Sequence, residues 1–170
     1  MQNKIFTERL SLNLLSLEDH DFIIAILNSP GWIEFIGDRN VHSKDDAIAY
    51  INKILNTHNL FYWVVSIKES NTPIGIISFI KRNYLDHFDI GFAFLPQFNG
   101  NGYACESANE ILSVVSKNPA YHPVLATTLP KNISSIKLLT KLGLHFKKEI
   151  EVENEVLHIY SNEVESLSVK

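Results

Sequence analysis

Two glycines one residue apart, Gly100 and Gly102, follow a run of apolar residues and precede a segment with helical periodicity. Glycine lets the backbone turn tightly and approach a ligand closely. The N–H groups at the start of a helix point in one direction, and the helix dipole adds about half a positive charge there. The segment QFNGNGYACE, residues 97–106, therefore predicts a loop that binds phosphate.

Two common phosphate-binding loops do not fit these residues. The P-loop of nucleoside triphosphatases needs a Lys and a hydroxyl residue after its last glycine, and no such pair is present. A dinucleotide-binding fingerprint would place Cys105 at its third small position. It also requires an acidic residue about 20 positions later, where the sequence reads SKNPAYHP. A nucleotide-binding oxidoreductase therefore stays only as an alternative.

Other polar residues stand where the predicted elements begin or end. Asn132 and Ser135 are three residues apart at the start of a predicted helix, so both side chains can share one face. Asn132 is also a natural N-cap. On the predicted strand 88–95, Asp89 lies on the same face as two small residues, which leaves room for a ligand. The Asp89 carboxylate could act there as a base or form an ion pair with Lys or Arg.

The elements that must position these residues alternate between strands and helices. In chain order, we predict a strand at 5–15, a helix after the Ser16 and Asp19 capping pair, a short helix at 31–36, a helix starting at Ser43, strands at 60–68, 73–82 and 88–95, a helix after Gly102, a strand at 124–129, a helix at 132–143 and a hairpin of 144–152 with 155–164. This order favours one mixed α/β domain over residues 1–170, with helices on both sides of a sheet.

Composition excludes several other classes of protein. The 170 residues are 45% hydrophobic and 20% charged, which is typical of a globular domain. The net charge of −4, with scattered basic residues, disfavours nucleic acid binding. The single Cys105 and seven dispersed histidines predict neither disulfides nor a metal site. The absence of any run of about 20 apolar residues disfavours a membrane span, so we expect a cytoplasmic protein. We also expect it to be a monomer or a homodimer.

Residues 96–106 resemble motif A of the GNAT superfamily of acetyl-CoA-dependent N-acetyltransferases, written [QR]-x-x-G-x-[GA]. Gly102 and Ala104 match the last two positions, and Asn99 stands at the Gln or Arg position. Residues 132–144, NISSIKLLTKLGL, resemble the second signature of the family. Residues 35–51 and the segment FDIGFAFLP resemble a branch that acetylates the N-termini of ribosomal proteins. The resemblance covers residues 5–164.

This resemblance implies the fold, the cofactor and the residues that bind it. It implies a GNAT fold with a mixed, mostly antiparallel sheet of about six to seven strands and with helices on both faces. The co-substrate would be acetyl-CoA, without a metal. Backbone groups near Phe94 and Leu95 would bind the pantetheine arm or the thioester oxygen, and Asn132 would contact the arm. The residues implied for the pyrophosphate are Asn99, Gly100, Asn101, Gly102, Tyr103 and Ala104.

The resemblance also implies the catalytic groups. The amine attacks the thioester directly, and family members often have a Glu base where this chain has Asp89. The Tyr that acts as the acid in many relatives is replaced by Leu139. The resemblance to the ribosomal-protein branch, in which the corresponding serine is proposed to act as the acid, implies that Ser135 could protonate the leaving thiolate, and a water molecule could do so equally well.

The predicted acceptor is a primary amine, and a protein N-terminal α-amino group is favoured because of the branch. A small amine or an antibiotic is the alternative acceptor, and a non-catalytic module that binds CoA is the alternative function. The acceptor wall is expected to contain Trp32, Phe35, Asp38, Arg39 and His42.

Overall fold

The computed structural model describes residues 1–163, and the end of the predicted last strand at Val164 lies outside them. Its strands are β1 (Lys4–Phe6), β2 (Leu10–Leu14), β3 (Leu60–Ile67), β4 (Thr72–Ile80), β5 (Asp89–Phe94), β6 (Leu125–Thr128), β7 (His145–Val152) and β8 (Glu155–Ser161). Its α-helices are α1 (His20–Leu27), α2 (Pro30–Phe35), α3 (Lys44–Leu55), α4 (Tyr103–Val115) and α5 (Ile133–Lys141). None of these helices is long and apolar enough to cross a bilayer.

All eight strands form one sheet in the order β1-β2-β3-β4-β5-β6-β8-β7. Every neighbouring pair is antiparallel except β5 and β6, which are parallel. The predicted mixed sheet is confirmed, with eight strands instead of six or seven.

The additional strand arises because the predicted strand 5–15 is two strands joined by a tight turn. The Thr7 hydroxyl accepts a hydrogen bond from the Leu10 N–H at 3.0 Å, and the Thr7 N–H donates to the Leu10 carbonyl at 3.0 Å. These two bonds fold the chain back on itself, so that Ile5 pairs with Leu12. The alternation of apolar residues changes phase at this turn, from Ile5 at an odd position to Leu10 and Leu12 at even positions, and the prediction of one continuous strand overlooked this change.

Helices cover both faces of the sheet, as predicted. On one face, α4 and α5 pack on the largest core cluster through Ala108, Ile111 and Leu139. On the other face, α1, α2 and α3 enclose a second cluster that includes Trp32 and Ile51. The middle of the sheet is therefore buried on both sides, whereas most residues of the edge strand β7 are exposed. Ligands can reach the middle of the sheet where the strands separate or the helices leave a gap.

Local capping residues set the start of the helices, as the sequence predicts. The Ser43 hydroxyl accepts the Asp46 N–H at 3.2 Å, and the Asp46 carboxylate accepts the Ser43 N–H at 2.9 Å, so α3 begins with a capping box. Ser16 donates its N–H to Asp19 at 2.8 Å, although a short 3-10 turn precedes α1.

Candidate active site

The two parallel strands in the middle of the sheet separate almost as soon as they meet. Strands β5 and β6 share a single aligned pair, Asp89 with Leu125, and the Leu125 N–H donates to the Phe88 carbonyl at 2.8 Å. A continued parallel ladder would next take the Thr127 N–H to a β5 carbonyl. Instead, the Thr127 N–H donates to the Asp89 side chain at 3.0 Å. The opening between the strands therefore begins at Asp89.

The Asp89 carboxylate is almost completely buried, and both of its oxygens accept hydrogen bonds. Its residue exposure is 1%. One oxygen accepts the Thr127 N–H, and the other accepts the Nε–H of Arg82 in an ion pair. Burial raises the pKa of Asp89, although the Arg82 guanidinium and the Thr127 N–H oppose that rise. Burial of Arg82 acts to lower its pKa, but the Asp89 carboxylate outweighs this effect and keeps it raised.

Beyond Asp89, backbone groups of β5 face the opening. The Leu95 N–H donates to the carbonyl of Ile74 on β4 at 2.9 Å. Every second residue of β5 before Leu95, namely Ala93 and Gly91, therefore also hydrogen-bonds with β4. Because bonding direction alternates along a strand, the N–H and C=O groups of Phe92 and Phe94 point to the side from which β6 has separated. These groups are free to hydrogen-bond an extended ligand.

The glycine loop lies at the same end of β5 and leads into α4. Gly100 has φ +80° and Gly102 has φ +79°, so both adopt the left-handed conformation that favours glycine. The first helical hydrogen bond runs from the Glu106 N–H to the Gly102 carbonyl at 3.0 Å. The N–H groups of Tyr103, Ala104 and the next residue therefore have no partner within the helix, and they can bind an anion.

Two clefts meet at this loop. The smaller, of about 260 Å³, lies between the start of α4 and the second half of α5, and the larger, of about 620 Å³, extends along the opening. Predicted residues that line the smaller cleft are Phe94, Asn99, Gly100, Gly102, Tyr103 and Ala104. Predicted residues that line the larger one are Trp32, Phe35, Arg39, Asp89, Phe94, Asn99, Gly100, Ala104, Asn132 and Ser135. The fold thus brings together most of the residues that the sequence predicts for the site.

Four predicted site residues line neither cleft. The Leu95 side chain packs against the core on the α1–α3 side of the sheet. The Asn101 side chain donates to the Phe98 and Asn99 carbonyls at 3.2 Å, within its own loop. Asp38 accepts the N–H two residues later at 2.7 Å, and the His42 N–H donates to a helix-capping carboxylate at 3.1 Å. Leu95 therefore belongs to the core, and the contacts of the other three residues shape their loops.

Asn132 caps α5 and also lines the larger cleft. Its Oδ1 accepts the Ser135 N–H at 3.1 Å, which is the capping role that its position predicts. Its amide group retains two donors for a ligand. Ser135 is half-buried beside it and lines the same cleft. Leu139, at the position where many relatives have Tyr, is buried in the core. No phenol is therefore available at that position.

A cation next to the glycine loop was not predicted from the sequence. Arg9, in the turn between β1 and β2, donates its Nε–H to the Glu106 carboxylate at 2.7 Å, and its guanidinium lies 4.6 Å from the centre of the Tyr103 ring. The Thr7 hydroxyl also binds Glu106. A Cβ on Gly102 would lie 3.5 Å from the Arg9 side chain. Arg9 and Glu106 are 97 residues apart, so no local pattern points to this contact.

Two lysines on α5 and a glycine on β4 were also not predicted from the sequence. Lys137 and Lys141 line the smaller cleft, and their spacing of four residues on one helix is a signal that could have identified them. Gly75 lies against the Phe94 ring, since a Cβ at this position would lie 2.4 Å from two ring carbons. The absent side chain of Gly75 makes room for Phe94 to reach both clefts.

Similarity to known proteins identifies the family. Residues 9–145 match the acetyltransferase (GNAT) domain. The chain belongs to the GNAT acetyltransferase family. It is 30% identical over 155 residues to the uncharacterized N-acetyltransferase YnaD of Bacillus subtilis, an alignment that covers 89% of this chain and 90% of YnaD.

Solved GNAT structures show the same fold. The ribosomal L7/L12 α-N-protein acetyltransferase RimL in complex with coenzyme A has a TM-score of 0.81 at 12% identity, covering 93% of this chain and 96% of RimL. A chimera of the spermidine N-acetyltransferase SpeG from Vibrio cholerae has a TM-score of 0.75 at 17% identity, covering 91% and 95%. The chain is thus a GNAT acetyltransferase whose fold is shared by enzymes named for different acceptors.

Proposed function

We propose that this GNAT acetyltransferase transfers the acetyl group of acetyl-CoA to a primary amine by direct attack. The observation that carries the proposal is the separation of β5 and β6 beside the unpaired N-terminus of α4. One side of this arrangement offers backbone groups to an extended chain, and the other offers N–H groups to phosphates. An acyl donor with a pantetheine arm and a pyrophosphate matches both parts.

The phosphate end of the donor would bind at the start of α4. The N–H groups between Gly100 and Ala104 supply neutral donors, and Lys137 and Lys141 supply positive charge on the facing helix. Arg9 is paired with Glu106, so it would fix the loop rather than neutralise a phosphate. The arm would bind the free backbone groups of β5 and the Asn132 amide.

The chemistry requires little more than positioning. The amine nitrogen forms a bond to the thioester carbon, the carbon–sulfur bond breaks, and CoA leaves as a thiolate. The amine proton passes to water in the open cleft, and Ser135 donates a proton to the thiolate and regains one from solvent. Because both oxygens of Asp89 are engaged, we propose that Asp89 keeps the strands apart, although its role as a base remains a sequence-based prediction.

The favoured acceptor is a protein N-terminal α-amino group. Its support is the resemblance of residues 35–51 to the ribosomal-protein branch, together with Ser135 in the larger cleft. The similarity to RimL and to the spermidine enzyme extends to the fold alone. A small amine is therefore the alternative acceptor.

Two measurements test the proposal. In a thermal-shift comparison, acetyl-CoA at 100 times its dissociation constant should add about 2.7 kcal/mol of stability, whereas NAD(P) should add none. CoA release should then be followed with a panel of N-terminal peptides and small amines. Binding of CoA without turnover of any acceptor would favour the non-catalytic module, and no stabilisation by CoA would refute the proposal.

A further inference from the structure

The larger cleft contains few charged side chains, and half of them already form an ion pair. Among residues 1–163, its charged lining residues are Arg39, Arg82, Asp89 and Glu155. Arg82 and Asp89 neutralise each other. The two remaining charges lie on opposite sides of the opening between β5 and β6. Glu155 is the first residue of β8, which follows β6 in the sheet, whereas Arg39 lies near Tyr62 of β3. The acceptor wall between α2 and α3 therefore presents the positive charge of Arg39.

Arg39 is held in a fixed loop and is not neutralised there. It is exposed to solvent and makes no ion pair within the part of the chain that the structure describes. The carboxylate of its neighbour Asp38 accepts the Asn40 N–H at 2.7 Å and does not line the cleft. The Asn28 amide donates to the Val41 carbonyl at 2.8 Å and ties the loop to α1.

Uncharged donors line the same cleft as Arg39, and a second cation lies beside one of its lining residues. Tyr62 and Ser78 are paired across β3 and β4, and both line the cleft. Burial raises the pKa of Tyr62, which keeps this phenol protonated as a donor, although Arg39 opposes the rise. The buried indole N–H of Trp32 has no partner among the described residues. Lys131 lies 5.9 Å from the centre of the Phe35 ring at the rim.

We propose that Arg39 selects a primary amine that also bears a carboxylate or a phosphate group. This inference rests on the proposed function, and it names the class of acceptor. An anionic group could accept hydrogen bonds from the planar guanidinium in a bidentate manner. A polyamine would need several free carboxylates, and among the described lining residues Glu155 carries the only carboxylate without an ion-pair partner. The same chemistry occurs in amino acids and in peptides with an acidic second residue.

The first part of the test uses acceptors of equal length and different charge. β-Alanine, β-alaninamide and 1,3-diaminopropane represent the small-molecule source. Peptides that begin Ala-Asp, Ala-Asn and Ala-Lys represent the peptide source, and 2-aminoethyl phosphate represents the phosphate. We expect the anionic member of at least one series to exceed its neutral analogue by about fivefold in kcat/KM, the scale of an exposed ion pair.

Variants assign this preference to Arg39. Arg39→Gln should remove it and Arg39→Lys should retain part of it. Lys53→Gln, at an exposed position of α3 outside the cleft, should leave it unchanged. Added salt should weaken the preference in the wild-type enzyme but not in Arg39→Gln. A preference for the neutral or the cationic acceptor, or an anionic preference that survives Arg39→Gln, would overturn the inference.

A binding measurement separates this inference from the transfer reaction itself. The N-acetylated forms of the same compounds should stabilise the wild-type protein in the presence of CoA, the anionic form more than the neutral one. If no amine is acetylated, the proposed function fails, and the binding difference still decides whether Arg39 recognises an anion. Equal stabilisation by the anionic and neutral forms, or none by either, would refute the recognition.

Discussion

Replacement of Asp89 by Asn tests whether this carboxylate holds the strands apart or acts as a base. The Asn side chain has nearly the same shape, and its oxygen can still accept the Thr127 N–H. The substitution removes the negative charge that pairs with Arg82, and with the Asn oxygen on Thr127 it places the amide NH2, a donor, opposite the Nε–H donor of Arg82. It therefore preserves the strand contact while it removes any basicity.

The expected loss of stability follows from the burial of the two partners. Breaking a fully buried ion pair costs about 3–5 kcal/mol. The Arg82 side chain is 33% exposed, so water can solvate the guanidinium that remains. We therefore expect a loss of about 2 kcal/mol, which lowers Tm by about 4–8 °C in a chain of this size. Asp86→Asn, at an exposed position nearby, is the matched control and should change neither quantity.

The kinetic result distinguishes the two roles. If Asp89 only positions the strands, Asp89→Asn should lower kcat/KM by less than about tenfold and leave the shape of its pH profile unchanged. Loss of a general base typically costs 10²–10⁴-fold. A loss of this size, with the acid limb of the profile removed and the Kd of acetyl-CoA unchanged, would refute the positioning role. Asp89→Glu retains the charge and serves as a second variant if the Asn protein unfolds.

Three further predictions concern the loop and its supports. Gly100→Ala and Gly143→Ala introduce the same strain, since both residues have φ near +80° and open space at the Cβ position; each should lose about 1–2 kcal/mol of stability. Only Gly100→Ala should raise the KM of acetyl-CoA. Equal KM values for the two variants would contradict the proposal that the Gly100 loop binds acetyl-CoA. Gly75→Ala should displace the Phe94 ring, at a cost of about 1–3 kcal/mol, and raise the KM for acetyl-CoA; wild-type kinetics would exclude a role for that ring. Burial acts to raise the pKa of Glu106, but its hydrogen bonds to a threonine hydroxyl and an arginine hold it below the ordinary 4.5. Its stabilising contribution is present above that value and is lost at lower pH, so in urea unfolding the wild type should lose more stability than Glu106→Gln between pH 5 and pH 3. Equal losses would show that this carboxylate is not stabilised in the folded state.

The sequence predicts the features that depend on residues close together in the chain. The capping pair at Ser43 and Asp46 needs only a few neighbours, and the structure confirms it. The tight turn expected at Gly100 and Gly102 is equally local, and both residues have the positive φ that suits such a turn. The family signature at Asn132 is likewise contained in one helix. These predictions succeed because capping and backbone strain are local effects.

Features that depend on distant residues could not be predicted in the same way. Asp89 could be placed on a strand face, but its partner Thr127 lies 38 residues away, on a strand whose register no local pattern defines. The contact of Arg9 with Glu106 spans 97 residues. Tertiary contacts decide both. The turn at Thr7 is different, because the alternation of apolar residues changes phase between Ile5 and Leu10 and so gives a local signal that the prediction of one strand overlooked.

The opening between β5 and β6 is supported by residues outside the proposed contacts with the ligand. Two parallel strands would normally continue to pair, because unpaired backbone groups are costly when buried. Here, the Asp89 carboxylate takes the Thr127 N–H that the ladder would have used, and the backbone groups of Phe92 and Phe94 are left free, where we propose that the acyl donor binds. Because Arg82 stabilises that carboxylate and Gly75 makes room for the Phe94 ring, changes at either position should alter donor binding without any direct contact to the donor.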